Sequence, residues 1–207
     1  MQQQIAGFWK WFVENEKRFW NYNEENSHSL LTEIQEHLSF INHEGSTVAL
    51  EFAEILDTIK RLEVSADGVK ELFDPIIQLI EAAPELSKWE FIAFRQPAPT
   101  PFTLEYEDME FDTSKMFFLP YEDENGALNL AIYGENFKKY MEKDENTFYH
   151  YGLTTIDNVI GEFDCVMRVH GYDFLDISEV GDDEVYPLEE LPDFIDEYYS
   201  EKEAEEE

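Results

Sequence analysis

Carboxylates are the side chains of this sequence with most chemistry to offer, and they come in groups. Glu105, Glu107, Asp108, Glu110 and Asp112 crowd one short stretch. Glu122, Asp123 and Glu124 stand together ahead of Asn125-Gly126, and Glu162 and Asp164 flank Phe163. Paired carboxylates divide acid and base roles when their surroundings push their pKa values apart, and they ligate hard divalent cations. Proximity alone does not establish either chemistry in a chain with 48 Asp and Glu. The run from Glu122 to Gly126 resembles part of a calcium loop, but EF-hand spacing asks for an acid where Tyr121 stands and a Glu where Ile132 stands. It reads as an acidic hairpin tip.

Other chemistries find less support. The histidines are His28, His37, His43, His150 and His170, with no H-E-x-x-H spacing and no cysteine pair. Cys165 and His170 are an odd number of residues apart, which on a regular strand points them to opposite faces and forbids a dyad. No G-x-S-x-G elbow or glycine-rich phosphate loop is present. The expectation is therefore no catalytic residue, no cofactor and no metal ligand. What is left is an acidic interaction surface of Glu105, Glu107, Asp108, Glu110, Glu122, Asp123, Glu124, Glu162 and Asp164. The rival expectation is a carboxylate-based enzyme, or a binder of a small ligand or divalent cation.

A formal charge of −34 over 207 residues repels nucleic acid and anionic lipid and attracts a basic protein. With 17 Phe, 11 Tyr and 4 Trp, the chain is unlike disordered acidic segments, which lack aromatic residues. Its length permits a substantial core. The single cysteine excludes an internal disulfide. Met1 opens no secretory leader, and no apolar run reaches the ~20 residues of a spanning helix, so a cytoplasmic protein is expected.

The positioning elements follow from periodicity. Ile5, Phe8, Trp9 and Phe12 form a helical stripe, as do Leu30, Leu31, Ile34, Leu38 and Ile41. Glu14 and Glu16 interrupt the basic face that a membrane-surface helix would need, so the first stripe is expected to pack in the core; it is also the candidate surface for a homodimer. Val48, Leu50 and Phe52 alternate as a strand, and Arg61–Ser65 is a second. Asp74 and Pro75 read as the cap and first position of a helix to about Ala83, preceded by one loose turn. Trp89–Arg95, apolar on both faces, predicts a central strand. Pro97, Pro99 and Pro101 make an extended connector.

Beyond it, Phe102–Tyr106 predicts a strand that continues through Met109 and Phe111 past a bulge at Asp108. Met116–Tyr121 and Leu128–Ile132 flank the Asn125-Gly126 turn. The polar stretch 135–146 leads to a helix that Gly161 ends, and Cys165, Met167 and Val169 alternate as a last strand. Segment 178–200 is expected to dock through a short helix opened by Pro192, and 201–207 to be a disordered acidic tail or a frayed helical end.

These elements predict an α+β fold: a mostly antiparallel sheet with helices on one face, two N-terminal helices, and two ββαβ-like halves. One domain would span 1–200, with 1–44, 45–96, 102–177 and 178–200 as its segments. Leu62–Gly68 (LEVSADG), Leu79–Arg95 (LIEAAPELSKWEFIAFR), Ile160–Asp164 (IGEFD) and Glu190–Asp196 (ELPDFID) resemble segments of an uncharacterised bacterial family of small, soluble, acidic α+β proteins. That resemblance implies the fold and brings no assigned activity. The functional expectation is a non-enzymatic protein that binds a basic partner through its acidic surface, as an immunity protein or nucleic-acid mimic would.

Overall fold

A computed structural model describes residues 1–56, 58–181 and 184–206. The chain forms two compact units, Met1–Arg95 and Gln96–Glu207. The division falls at the head of the proline-rich connector.

In the first unit, helix α1 (Gln2–Trp20) and helix α2 (Ser27–His37) precede a three-stranded sheet. Strand β1 (Ala49–Leu56) pairs antiparallel with β2 (Ile59–Ser65), and β3 (Trp89–Ala93) lies parallel on the other side of β2. The register aligns Phe52, Leu62 and Phe91 on one face. The stripe of α1 packs there: Phe12 meets Trp89 and Phe91 edge-on, and the Trp9 indole donates to the Leu79 carbonyl at 2.8 Å. Ile5, Phe8, Trp9, Phe12 and Phe19 are all buried, so this helix spends its aromatic stripe on its own core. Helix α3 (Phe73–Glu81) crosses between β2 and β3.

Two expectations need correction here. The Trp89 strand is an edge strand, and β2 is central; apolar character on both faces does not tell an edge covered by neighbours from a middle strand. Asp74 is not the cap of α3: a 3₁₀ turn, Lys70–Leu72, runs straight into the helix, which starts two residues before Pro75. Proline is tolerated there because the first four helical N–H groups have no intrahelical acceptor.

The second unit begins with a hairpin of β4 (Thr103–Tyr106) and β5 (Met109–Asp112). A four-stranded sheet follows, containing β6 (Phe117–Glu122), β7 (Leu128–Gly134), β8 (Gly171–Asp176) and β9 (Tyr186–Pro187), in the order β8-β7-β6-β9. Strands β6 and β7 are antiparallel, β7 and β8 parallel. Helices α4 (Phe137–Lys143) and α5 (Glu145–Ile160) make the crossover to β8, and α6 (Leu191–Glu206) closes the chain. The core gathers Phe111, Phe118, Ile132, Phe148, Leu191 and Ile195, among others. Each unit thus places an antiparallel strand pair before a helical crossover to a parallel third strand, the ββαβ-like arrangement expected of both halves.

The continuous strand expected across Asp108 is instead a hairpin, turning at Glu107-Asp108 with Glu107 in the left-handed region (φ 51°). The polar stretch after 135 holds α4. Cys165–Val169 is not a strand: Asp164–Arg168 forms one π-helical turn, and the last long strand comes later, at Gly171. The acidic end is helical through Glu206, where disorder is one of two expectations for 201–207; Glu207 lies outside the described residues.

Candidate functional site

The β4–β5 hairpin sorts its side chains by alternation. Leu104, Tyr106, Met109 and Phe111 share one face, with Met109 and Phe111 buried. Glu105 and Glu110 share the other, directly opposite each other and exposed. Like charges opposed across a ladder repel. Lys115 lies 3.8 Å from Glu110 and 2.7 Å from Asp112, and its hydrogen bond holds the Asp112 carboxyl below its ordinary pKa. At the turn, Lys143 of α4 pairs with Glu107 at 3.3 Å and with Asp108, whose pKa that hydrogen bond lowers. Beside the hairpin, Glu110, Asp112, Lys115, Glu135, Asn136 and Tyr140 line a small surface recess with room for no more than about a water molecule. Glu135 joins it from a stretch that sequence reading left featureless.

The β6–β7 tip is a second acidic group. Glu122 accepts hydrogen bonds from the Tyr198 hydroxyl and from Lys202 at 3.0 Å, and both lower its pKa, the tyrosine first. Asp123 accepts the backbone N–H groups of Ala127 and Asn125 at 3.0 and 2.8 Å, which lower its pKa and fix the loop. Glu124 is exposed. The first group is tied to α4 and the second to α6.

The third pair does not belong to the surface as expected. Glu162 is 0% exposed. It follows the Gly161 cap (φ 80°), where the chain turns inward from α5 between the buried Ile160 and Cys165. Asp164 is half-buried; burial raises its pKa, and Arg168 at 3.3 Å acts against that. Arg168 also reaches Asp196 of α6 at 3.0 Å. Tyr172 donates to the Cys165 carbonyl at 2.9 Å, and burial pushes its pKa far up. The π turn is thereby pinned to β8 and α6. His170 is exposed, its backbone N–H donating to Leu128, and neither it nor Cys165 sits on a strand. Among the described residues, no group of three or more His, Cys, Asp or Glu is arranged to hold a metal ion.

Sequence reading missed an aromatic pair. Tyr106, at the end of β4, stacks on Tyr151 of α5 with ring centroids 4.2 Å apart and planes 21° from parallel. Its only sequence signal is alternation, which puts Tyr106 on the inward face next to the turn acids.

Charge is unevenly divided. Residues 1–95 hold 17 acidic and 8 basic side chains, net −9; residues 96–207 hold 31 and 6, net −25. Four of those six cations, Lys115, Lys143, Arg168 and Lys202, are already in ion pairs within the unit. No protein-family model matches the chain, and no curated protein matches it.

Proposed function

We propose that this chain is a non-enzymatic protein-binding module, acting in the cytoplasm, whose second unit docks a basic protein. The observation that carries this reading is the surplus of exposed carboxylate on that unit. Glu105, Glu107, Asp108, Glu110, Glu122, Asp123 and Glu124 are all exposed, on two hairpins, while most of the unit's few cations are spent internally. Such a surface raises the encounter rate with a cationic partner and disfavours nucleic acid and anionic membrane. Among the described residues, no helix is long and apolar enough to cross a membrane.

The test is affinity capture with the full chain from a bacterial lysate, with captured proteins identified by mass. Basic proteins should be retained at low salt and released as salt shortens the screening length from about 10 Å at 0.1 M to about 3 Å at 1 M. A variant combining Glu105→Gln, Glu107→Gln, Asp108→Asn and Glu110→Gln should retain less of them. Capture of no basic protein, or equal capture by the variant, overturns the reading.

A further inference from the structure

We propose that the stacked pair Tyr106–Tyr151 is where the second unit takes an arginine side chain of its basic partner, so that the surface prefers guanidinium to ammonium. The inference rests on the basic-partner reading and makes it more specific.

Three observations combine. First, the pair is a near-parallel aromatic stack between β4 and α5, with Tyr106 37% exposed. A planar, weakly hydrated guanidinium can continue such a stack; a compact, strongly hydrated ammonium gains less from it. Second, the next two residues along the chain are the exposed carboxylates Glu107 and Asp108. A guanidinium lying on Tyr106 would have oxygen acceptors for its fork of N–H donors at the rim of the ring. Lys143 occupies those acids in an exposed ion pair, a kind of contact that contributes little and exchanges readily. Third, the unit builds the same arrangement within itself. The Arg168 guanidinium carbon lies 5.3 Å over the Tyr199 ring while its nitrogens reach Asp164 and Asp196. Tyrosine face plus paired carboxylates is therefore a combination that this unit already uses to hold an arginine, and the exposed part of the Tyr106 ring repeats it with Glu107 and Asp108 as the next residues.

The experiment compares dye-labelled nona-arginine and nona-lysine peptides by fluorescence anisotropy against the full chain, at one ionic strength. The arginine peptide should bind about two- to fivefold more tightly than the lysine peptide, the range expected of an exposed cation–π contact. Tyr106→Leu should abolish that preference and leave lysine-peptide binding unchanged. Tyr106→Phe, which keeps the ring, should restore it, and circular dichroism should show each variant folded. Should Tyr151→Leu fail to fold, the Tyr106 variants still decide. Equal affinities for the two peptides, or a preference that survives Tyr106→Leu, overturn the arginine site and leave the basic-partner reading standing. Binding of neither peptide overturns both.

Discussion

Tyr121 shows how single side chains on the acidic unit are fixed by partners far away in sequence. Its hydroxyl reaches over β7 to donate to Asp173 of β8 at 2.5 Å. That hydrogen bond, then burial, then the charges of Asp173 and Asp123 push its pKa up to about 12. The folded state therefore prefers the neutral phenol. The associated stability is complete below the ordinary tyrosine value of about 10 and is lost as pH rises through about 12. An ultraviolet difference titration of the native chain against Tyr121→Phe should show one missing ionisation near pH 12; a missing step near pH 10 would mean that the contact with Asp173 does not form. Nothing local announces this pair, because it depends on a parallel alignment made after a long crossover. Glu162 was misread for a related reason. A glutamate in so acidic a chain defaults to solvent, and only Gly161, the residue immediately before it, marks the place where the backbone turns inward. Glu105, Glu107, Asp108 and Glu110 were legible because the alternation of Leu104, Tyr106, Met109 and Phe111 leaves them no inward face.

Elements were legible where periodicity was long and failed where it was short. The α1 stripe runs for several turns and lands as read. The alternation Cys165, Met167, Val169 covers too few residues to separate a strand from a tight turn, and the true strand (GYDFLD) was masked by its glycine and two aspartates, poor strand formers. Helix α4 hid in a polar stretch because only Phe137 and Tyr140 of its seven residues are buried. What makes room for it is Gly134, the last residue of β7. A Cβ there would collide with the Phe137 ring, and that ring is 1% exposed, packed against Phe148 at 5.0 Å and Phe111 at 5.7 Å. Forced overpacking costs about 1–3 kcal/mol. Gly134→Ala should lower the urea midpoint accordingly, and combining it with Phe137→Leu should destabilise by less than the sum of the two single changes, because both act on one contact. A Gly134→Ala protein as stable as the native one would mean that β7 and α4 meet differently.

The whole chain carries a contrast that gives each unit its own spectroscopic reporter. All four tryptophans, Trp9, Trp11, Trp20 and Trp89, lie in residues 1–95; ten of the eleven tyrosines lie in 96–207. Tryptophan fluorescence therefore follows the first unit, and tyrosine absorbance follows mainly the second. The net charges are −9 and −25, so self-repulsion bears mostly on the second unit. Screening weakens that repulsion, more for exposed charges than for buried pairs. Adding salt to a neutral, low-ionic-strength buffer should thus raise the unfolding midpoint seen by tyrosine absorbance more than the one seen by tryptophan fluorescence. The surface ion pairs of the second unit, such as Lys143 with Glu107 and Lys202 with Glu122, oppose this, since salt weakens them too. Exposed pairs contribute little, and a handful of them is set against 25 uncompensated charges, so relief of repulsion wins. Coincident midpoints that shift together with salt would show instead that the two units unfold as one cooperative body and share the electrostatic load.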